Sequence, residues 1–118
     1  MARKFNPSSL ARALSDALGL PRTAGLIIGA LARARDSLAV DQIVRQVQSS
    51  ERSVRENLQI LLQRGLLIRK VFVTANKKLA YVYSLKPVDD LVAAARKEVA
   101  RTLGRVEVIA RRLRDLTA

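Results

Sequence analysis

Ser50-Glu51-Arg52-Ser53-Val54-Arg55-Glu56-Asn57-Leu58, followed by Leu61-Leu62-Gln63-Arg64-Gly65-Leu66-Leu67, reads as a capped helix that stops at a glycine and runs into a strand. The Ser50 hydroxyl can accept from the orphan N–H groups of the first turn. Glu51 sits where the helix dipole favours an anion. Val54, Leu58, Leu61 and Leu62 recur at helical spacing and define a buried side. Gly65 supplies the left-handed residue that commonly ends a helix. The opposite side reads Arg52, Ser53, Arg55, Glu56 and Gln59, with Gln63 further along. These side-chain types match base edges. Arginine pairs bidentately with guanine, glutamine does so with adenine, and a carboxylate accepts from cytosine. An ordinary solvated helix face has a similar composition, so the neighbouring elements have to decide.

Working upstream, Asp41 can cap a preceding helix that carries Ile43, Val44 and Val47. Gln48 and Ser49 leave room for only a tight turn before Ser50. Together Asp41 to Arg64 predict a helix–turn–helix whose second member shows its outer face to solvent. The helix N-terminus with Ser49 and Ser50 is a ready phosphate site. Leu38 to Val40 is a short strand or an extended link. Before it, a helix is expected from about Arg22 to Arg35, buried through Leu26, Ile27, Ala30, Leu31 and Ala34. Its Gly25 and Gly29 suit close packing of a neighbouring backbone. Ser8 or Ser9 can cap a first helix bearing Leu10, Ala13, Leu14, Ala17 and Leu18, ended by Gly19 and Pro21. Residues 1–7 read as a short basic tail.

Downstream, the pattern changes to β-formers at Leu66 to Thr74 and again at Leu79 to Leu85. The polar turn Ala75 to Lys78 makes them a hairpin. Lys77 and Lys78 lie at its tip and Arg69 and Lys70 on the outgoing strand, and such a basic tip can enter the flanking minor groove or grip phosphates. Lysines also protect exposed strand edges from pairing. Tyr81 and Tyr83 share one face and are expected to anchor the core. Pro87 opens a long final helix, with Asp89 and Asp90 in its first turn and Arg111, Arg112 and Arg114 near its last. Val88, Val92, Ala95, Val99, Thr102, Val106, Ile109, Leu113 and Leu116 follow a four-three spacing over four heptads, widened by Leu91, Leu103 and Ala110. About 29 helical residues span roughly 44 Å. A body of 87 residues cannot cover that whole stripe. The rest predicts a homodimer through this coiled-coil-like helix.

The charge balance supports the same direction. Twenty-two Lys and Arg stand against ten Asp and Glu, a formal net charge of +12 in 118 residues. An excess this large in a short chain predicts a polyanionic partner. The absent residues are equally informative. The chain has no Cys and no His, which excludes a disulfide framework and thiolate or imidazole metal sites. No nucleotide-binding glycine loop is present, and Asp89 and Asp90 are adjacent on a helix and diverge. Neither an enzyme nor a cofactor site is expected. Arg3 and Lys4 lead into a polar stretch, so no signal peptide is expected. The longest apolar run, Ala24 to Ala32, is too short to span a bilayer. A cytoplasmic, nucleoid-associated protein with no membrane partner fits these features.

The run from Ser50 to Leu67 with the return strand Tyr81-Val82-Tyr83-Ser84-Leu85 resembles the winged helix–turn–helix of small prokaryotic regulators, archaeal ones in particular, of the MarR, ArsR, PadR and TrmB types. The resemblance covers about residues 22–87. It implies a mainly α fold with a small β-hairpin (α+β), in which the second helix reads the major groove and the hairpin is the wing. It implies three parts: an N-terminal basic tail and helix (1–21), the DNA-binding domain (22–87) and a C-terminal dimerisation helix (88–118). The metal response of the ArsR branch is not expected, since its Cys and His ligands are missing.

The leading expectation is a sequence-specific regulator that binds double-stranded DNA as a homodimer. Arg52, Arg55 and Gln59 would read bases, helped by Ser53 and Glu56. Ser49 and Ser50 would position a phosphate, and Arg45, Arg69, Lys70, Lys77 and Lys78 would hold the backbone. An architectural chromatin-type protein with little sequence preference is the alternative. A winged helix used as a protein-interaction module is a third. Nothing in the residues marks a small-molecule effector site.

Overall fold

The computed structural model describes residues 6–117. The chain runs α1 (Pro7–Leu18), α2 (Arg22–Ala34), β1 (Leu38–Ala39), α3 (Val40–Val47), α4 (Glu51–Gln63), β2 (Leu67–Val73), β3 (Leu79–Leu85) and α5 (Val88–Thr117). The three strands form one antiparallel sheet in the order β1-β3-β2. The expected hairpin is therefore part of a larger sheet. Leu38 pairs with Tyr83 and Ala39 with Val82, so the stretch that read as strand or link is a strand.

Two helix starts differ from the sequence reading. The first helix is capped by Asn6, whose Oδ1 accepts from the Ser9 N–H at 3.1 Å, with Pro7 as the first helical residue. Ser8 and Ser9 lie inside the helix, because proline's fixed φ and missing N–H suit the position directly after a cap. Residues 1–5 of the expected basic tail lie outside the described residues. Asp41 is likewise inside α3, not its cap. The helix already begins at Val40, and the Gln42 side chain accepts from the Ala39 N–H at 2.9 Å. Asp41 instead places its charge in the first turn.

α4 follows expectation at both ends. Ser50 Oγ accepts from the Ser53 N–H at 3.1 Å. Gly65, at φ +75°, closes the helix with paired bonds, Gly65 N to Leu62 O and Leu66 N to Leu61 O, both 3.1 Å. Leu66 and Leu61, joined by that closing bond, are both fully buried.

The core lies between α2, α3, α4 and the sheet. Ile27, Ile28, Ile43, Val54, Leu58, Leu61 and Leu66 are its largest fully buried side chains. Leu26, expected inside, is 41% exposed. α1 packs along α2 where the glycines were noted. A Cβ on Gly25 would stand 2.6 Å from Ser15 Oγ, and one on Gly29 3.8 Å from Ala11 Cβ. At Gly25 the close neighbour is thus a side chain of α1, not its backbone, while at Gly29 Arg33 of α2 itself is nearer, at 3.3 Å. Leu14 and Leu18 of α1 enter the core. α1 also meets the start of α5, which buries Leu91 and packs Ala94 on the core.

Beyond that start, the apolar stripe of α5 is uncovered. Val92, Val99, Leu103, Val106, Ile109, Leu113 and Leu116 are all exposed. The chain extends 68 Å along its longest axis and 23 Å along its shortest. Among the described residues no helix is long and apolar enough to cross a membrane.

Candidate nucleic-acid interface

α3 and α4 are joined by three residues, Gln48, Ser49 and Ser50. Gln48 adopts φ +54°, ψ +40°, a left-handed cap that turns the chain sharply. Its N–H bonds Val44 O at 3.0 Å. Ile43 and Val47 of α3 and Val54 and Leu58 of α4 are buried in one core, which fixes the angle between the helices. The outer face of α4 stays free. Arg52, Arg55, Glu56, Gln59 and Gln63 are exposed, and Ser53 is half-buried.

The arginines on this face are held by their own helix. Arg55 donates from Nε and Nη2 to Glu51 Oε1 at 3.2 and 2.9 Å. Arg52 Nε donates to Glu56 Oε1 at 3.1 Å. On α3, Arg45 meets Asp41 at 3.4 Å. All three are exposed pairs four residues apart, each worth only about 0.3–0.5 kcal/mol. They hold the guanidinium groups loosely enough that a nucleic-acid acceptor can replace the carboxylate. Ser50 caps α4 through its oxygen, and its hydroxyl proton remains available to an anion.

Arg69 and Lys70 divide between the two faces of the sheet. Arg69 stands over the Tyr81 ring at 4.7 Å and lines a shallow recess with Gln59, Leu62 and Gln63. It thus joins the exposed face of α4. Lys70 points the other way, to a recess that also contains Arg35 and Lys86, and is not brought to the α4 face. Lys77 and Lys78 lie exposed at the hairpin tip. Tyr83 is buried, as expected of a core anchor, but Tyr81 is 37% exposed. The sheet face they share runs past the edge of the helical body between them, so only the nearer tyrosine is covered.

Two features escaped the sequence reading. Asn57 lies among the inward residues of α4 and is 8% exposed. Its Nδ2 donates to Ser53 O at 2.8 Å, leaving Oδ1 without a partner. Its spacing from Val54 and Leu61 was the available signal. The second is an apolar groove between α1 and α5, lined by Ala13, Ala17, Val92, Ala95, Val99 and Leu103. The expected dimerisation stripe is therefore one wall of a two-helix surface. Leu91, counted in that stripe, is 3% exposed within the chain's own core.

Solved structures share this arrangement. A possible transcriptional regulator from Methanosarcina mazei superimposes with a TM-score of 0.72 at 13% identity, over 87% of each chain. The DNA complex of MepR from Staphylococcus aureus gives 0.53 at 18% identity, over 92% of this chain and 90% of that one. A MarR-family regulator from Silicibacter pomeroyi gives 0.52 at 18% identity, over 93% and 79%. The fold is a winged helix–turn–helix. No protein-family model matches the chain, and no curated protein matches it by sequence. Within this fold α3 and α4 are the helix–turn–helix, the β2–β3 hairpin is the wing, and α5 is a long helix that extends past the core in which its Leu91 is buried.

Proposed function

We propose that the chain is a transcription regulator that binds double-stranded DNA with sequence preference and acts as a homodimer. The observation that carries this reading is the exposed face of α4. It presents two arginines and two glutamines in front of a rigid helix–turn–helix, with Arg69 beside them. The net charge of +12 supplies the long-range attraction to phosphate. The MepR–DNA complex shows that a chain of this fold binds DNA.

Arg52, Arg55 and Gln59 read bases, with Ser53 and Glu56 adjusting them. Ser49 and Ser50 place a phosphate at the start of α4. Arg45, Lys77 and Lys78 hold backbone on either side. The exposed stripe of α5 supports the dimer, and the groove adds Ala13 and Ala17 of α1 to its surface. A two-fold axis there would set two α4 helices in successive major grooves about 34 Å apart, on a pseudo-palindromic site.

The test is retention of random genomic fragments by the chain at two salt concentrations, with sequencing of what is kept. An enriched palindrome supports the reading. Uniform retention assigns an architectural role instead, and no retention leaves a protein-interaction module. If about 6–10 phosphates are neutralised, affinity falls about 10³–10⁵-fold between roughly 50 and 200 mM salt.

A further inference from the structure

The wing is unusually apolar for an element standing in water. Val71, Val73 and Leu79 are 54%, 64% and 69% exposed. The register pairs Val71 with Tyr81 and Val73 with Leu79, so these four side chains form one strip on one face of the hairpin. Phe72, 44% exposed, is on the other face. The strip is the outward continuation of the inner sheet face, whose Leu67, Tyr83 and Leu85 lie against the body. It begins beside Gln59 and Gln63 of α4, where Arg69 lines their common recess.

Hairpins exposed to this extent are normally covered or charged, and a contiguous apolar strip marks a contact surface. The surrounding charge identifies the occupant. Between Glu56 and Asp89 the sequence has no acidic residue, while Arg64, Arg69, Lys70, Lys77, Lys78 and Lys86 are all basic. A second copy of the same wing would bring like charges together. Duplex DNA offers the complement: phosphates on both rims and a floor of stackable bases.

The tip is also built to keep its shape. Thr74 N bonds Lys78 O and Lys77 N bonds Thr74 O, both at 2.9 Å. Thr74 Oγ1 accepts from Lys78 N at 3.1 Å. The Val73–Leu79 pair is thereby presented as a fixed edge.

We infer that the wing is a DNA-bending wedge. Val73 and Leu79 enter the minor groove next to the site read by α4 and part a base step, while Lys77 and Lys78 grip the flanking phosphates. This rests on the DNA-binding reading and adds a deformation to it. Flexible pyrimidine–purine steps beneath the wing would then be preferred without any hydrogen bond to their bases.

The test uses the full chain, a Val73→Thr/Leu79→Thr variant and a Lys77→Ala/Lys78→Ala variant. Threonine keeps the strand propensity, and both positions are exposed, so an unchanged thermal midpoint checks the fold. The probe is an end-labelled duplex with a central TA step, its bend read from dye-to-dye distance. The parent chain is expected to shorten that distance. The threonine variant should leave it near that of free DNA and bind about ten- to hundredfold more weakly, with the same salt slope. The alanine variant should lower the salt slope by about two.

A threonine variant that bends and binds like the parent overturns the wedge while leaving base reading intact. So does one that binds normally but changes the solution mass of the free protein, which would assign the strip to a second copy. A parent chain that fails to hold any duplex overturns the wedge and the DNA-binding reading together.

Discussion

Arg55 donates two hydrogen bonds to a single oxygen of Glu51, at 3.2 and 2.9 Å, one turn earlier on α4. The guanidinium that we propose reads a base is thus already paired in the free chain. Arg52 and Glu56 repeat the arrangement on the same face. Because these pairs are exposed and weak, they orient the guanidinium groups and yield to a better acceptor.

The first prediction concerns that exchange. Glu51→Gln removes a negative charge from the exposed face of α4 and releases Arg55. Affinity for duplex DNA should rise about three- to tenfold at low salt, with the difference narrowing as salt is added. Loss of the first-turn anion should lower stability by about 0.3–1 kcal/mol. Fluorescence titration across a salt series measures the first effect and chemical denaturation the second. A fall in affinity would show that Glu51 itself contacts the DNA.

A second prediction comes from the α1–α2 contact. An alanine at Gly25 gains helix propensity of about 1 kcal/mol but sets a methyl 2.6 Å from Ser15 Oγ. The two effects oppose each other, so Gly25→Ala alone should change stability little or lower it. Combined with Ser15→Ala, the clash is gone and the propensity gain of about 0.5–1 kcal/mol should appear. The comparison is a double-mutant cycle by denaturant unfolding. Additive behaviour of the two substitutions would contradict the contact.

Glu98 links the long helix to the helix–turn–helix. Its carboxylate meets Arg64, the residue that caps α4, at 3.1 Å and Arg101 at 3.6 Å. With the Glu98 side chain 14% and that of Arg64 35% exposed, the pair is partly buried. Glu98→Gln should cost about 1–2 kcal/mol of stability. It should also loosen the angle between α4 and α5. Affinity for DNA carrying two half-sites should then fall more than affinity for one half-site. Equal losses on both probes would mean that the pair only stabilises the body.

The exposed stripe on α5 makes the fourth prediction. Val99→Lys with Val106→Lys places charges on two positions that are 55% and 52% exposed in the single chain. Neither contributes to the core, so the isolated fold should persist. The solution mass by light scattering should drop to that of one chain, and two-half-site DNA binding should weaken with it. A mass unaffected by these lysines would place the association surface elsewhere.

Much of this architecture was legible in the residues. The periodicity of Val54, Leu58 and Leu61, the stop at Gly65 and the four-three spacing after Val88 each depend on contacts within one element. Local rules are enough for those. The local departures are at helix starts, where Asn6 and Ala39 outrank Ser8 and Asp41, and the others, Leu26, Lys70, Tyr81 and Leu91, concern which side chains the neighbouring elements cover. Proline at the first helical position and a reaching Gln42 side chain decided those caps.

What the sequence determined by itself is the order of elements, the cationic face of α4 and an apolar rod longer than one small body can cover. Tertiary structure alone decided which apolar residues remain uncovered. Tyr83 and Tyr81 differ by two positions on one strand face, yet one is buried and the other stands beneath Arg69. The side-chain period says that they share a face; only the place where the neighbouring helices end says how far that face is covered. The same reason makes Leu91 a core residue and Val92 part of an open groove. Burial is a property of the elements packed around a residue, and those come from distant parts of the chain.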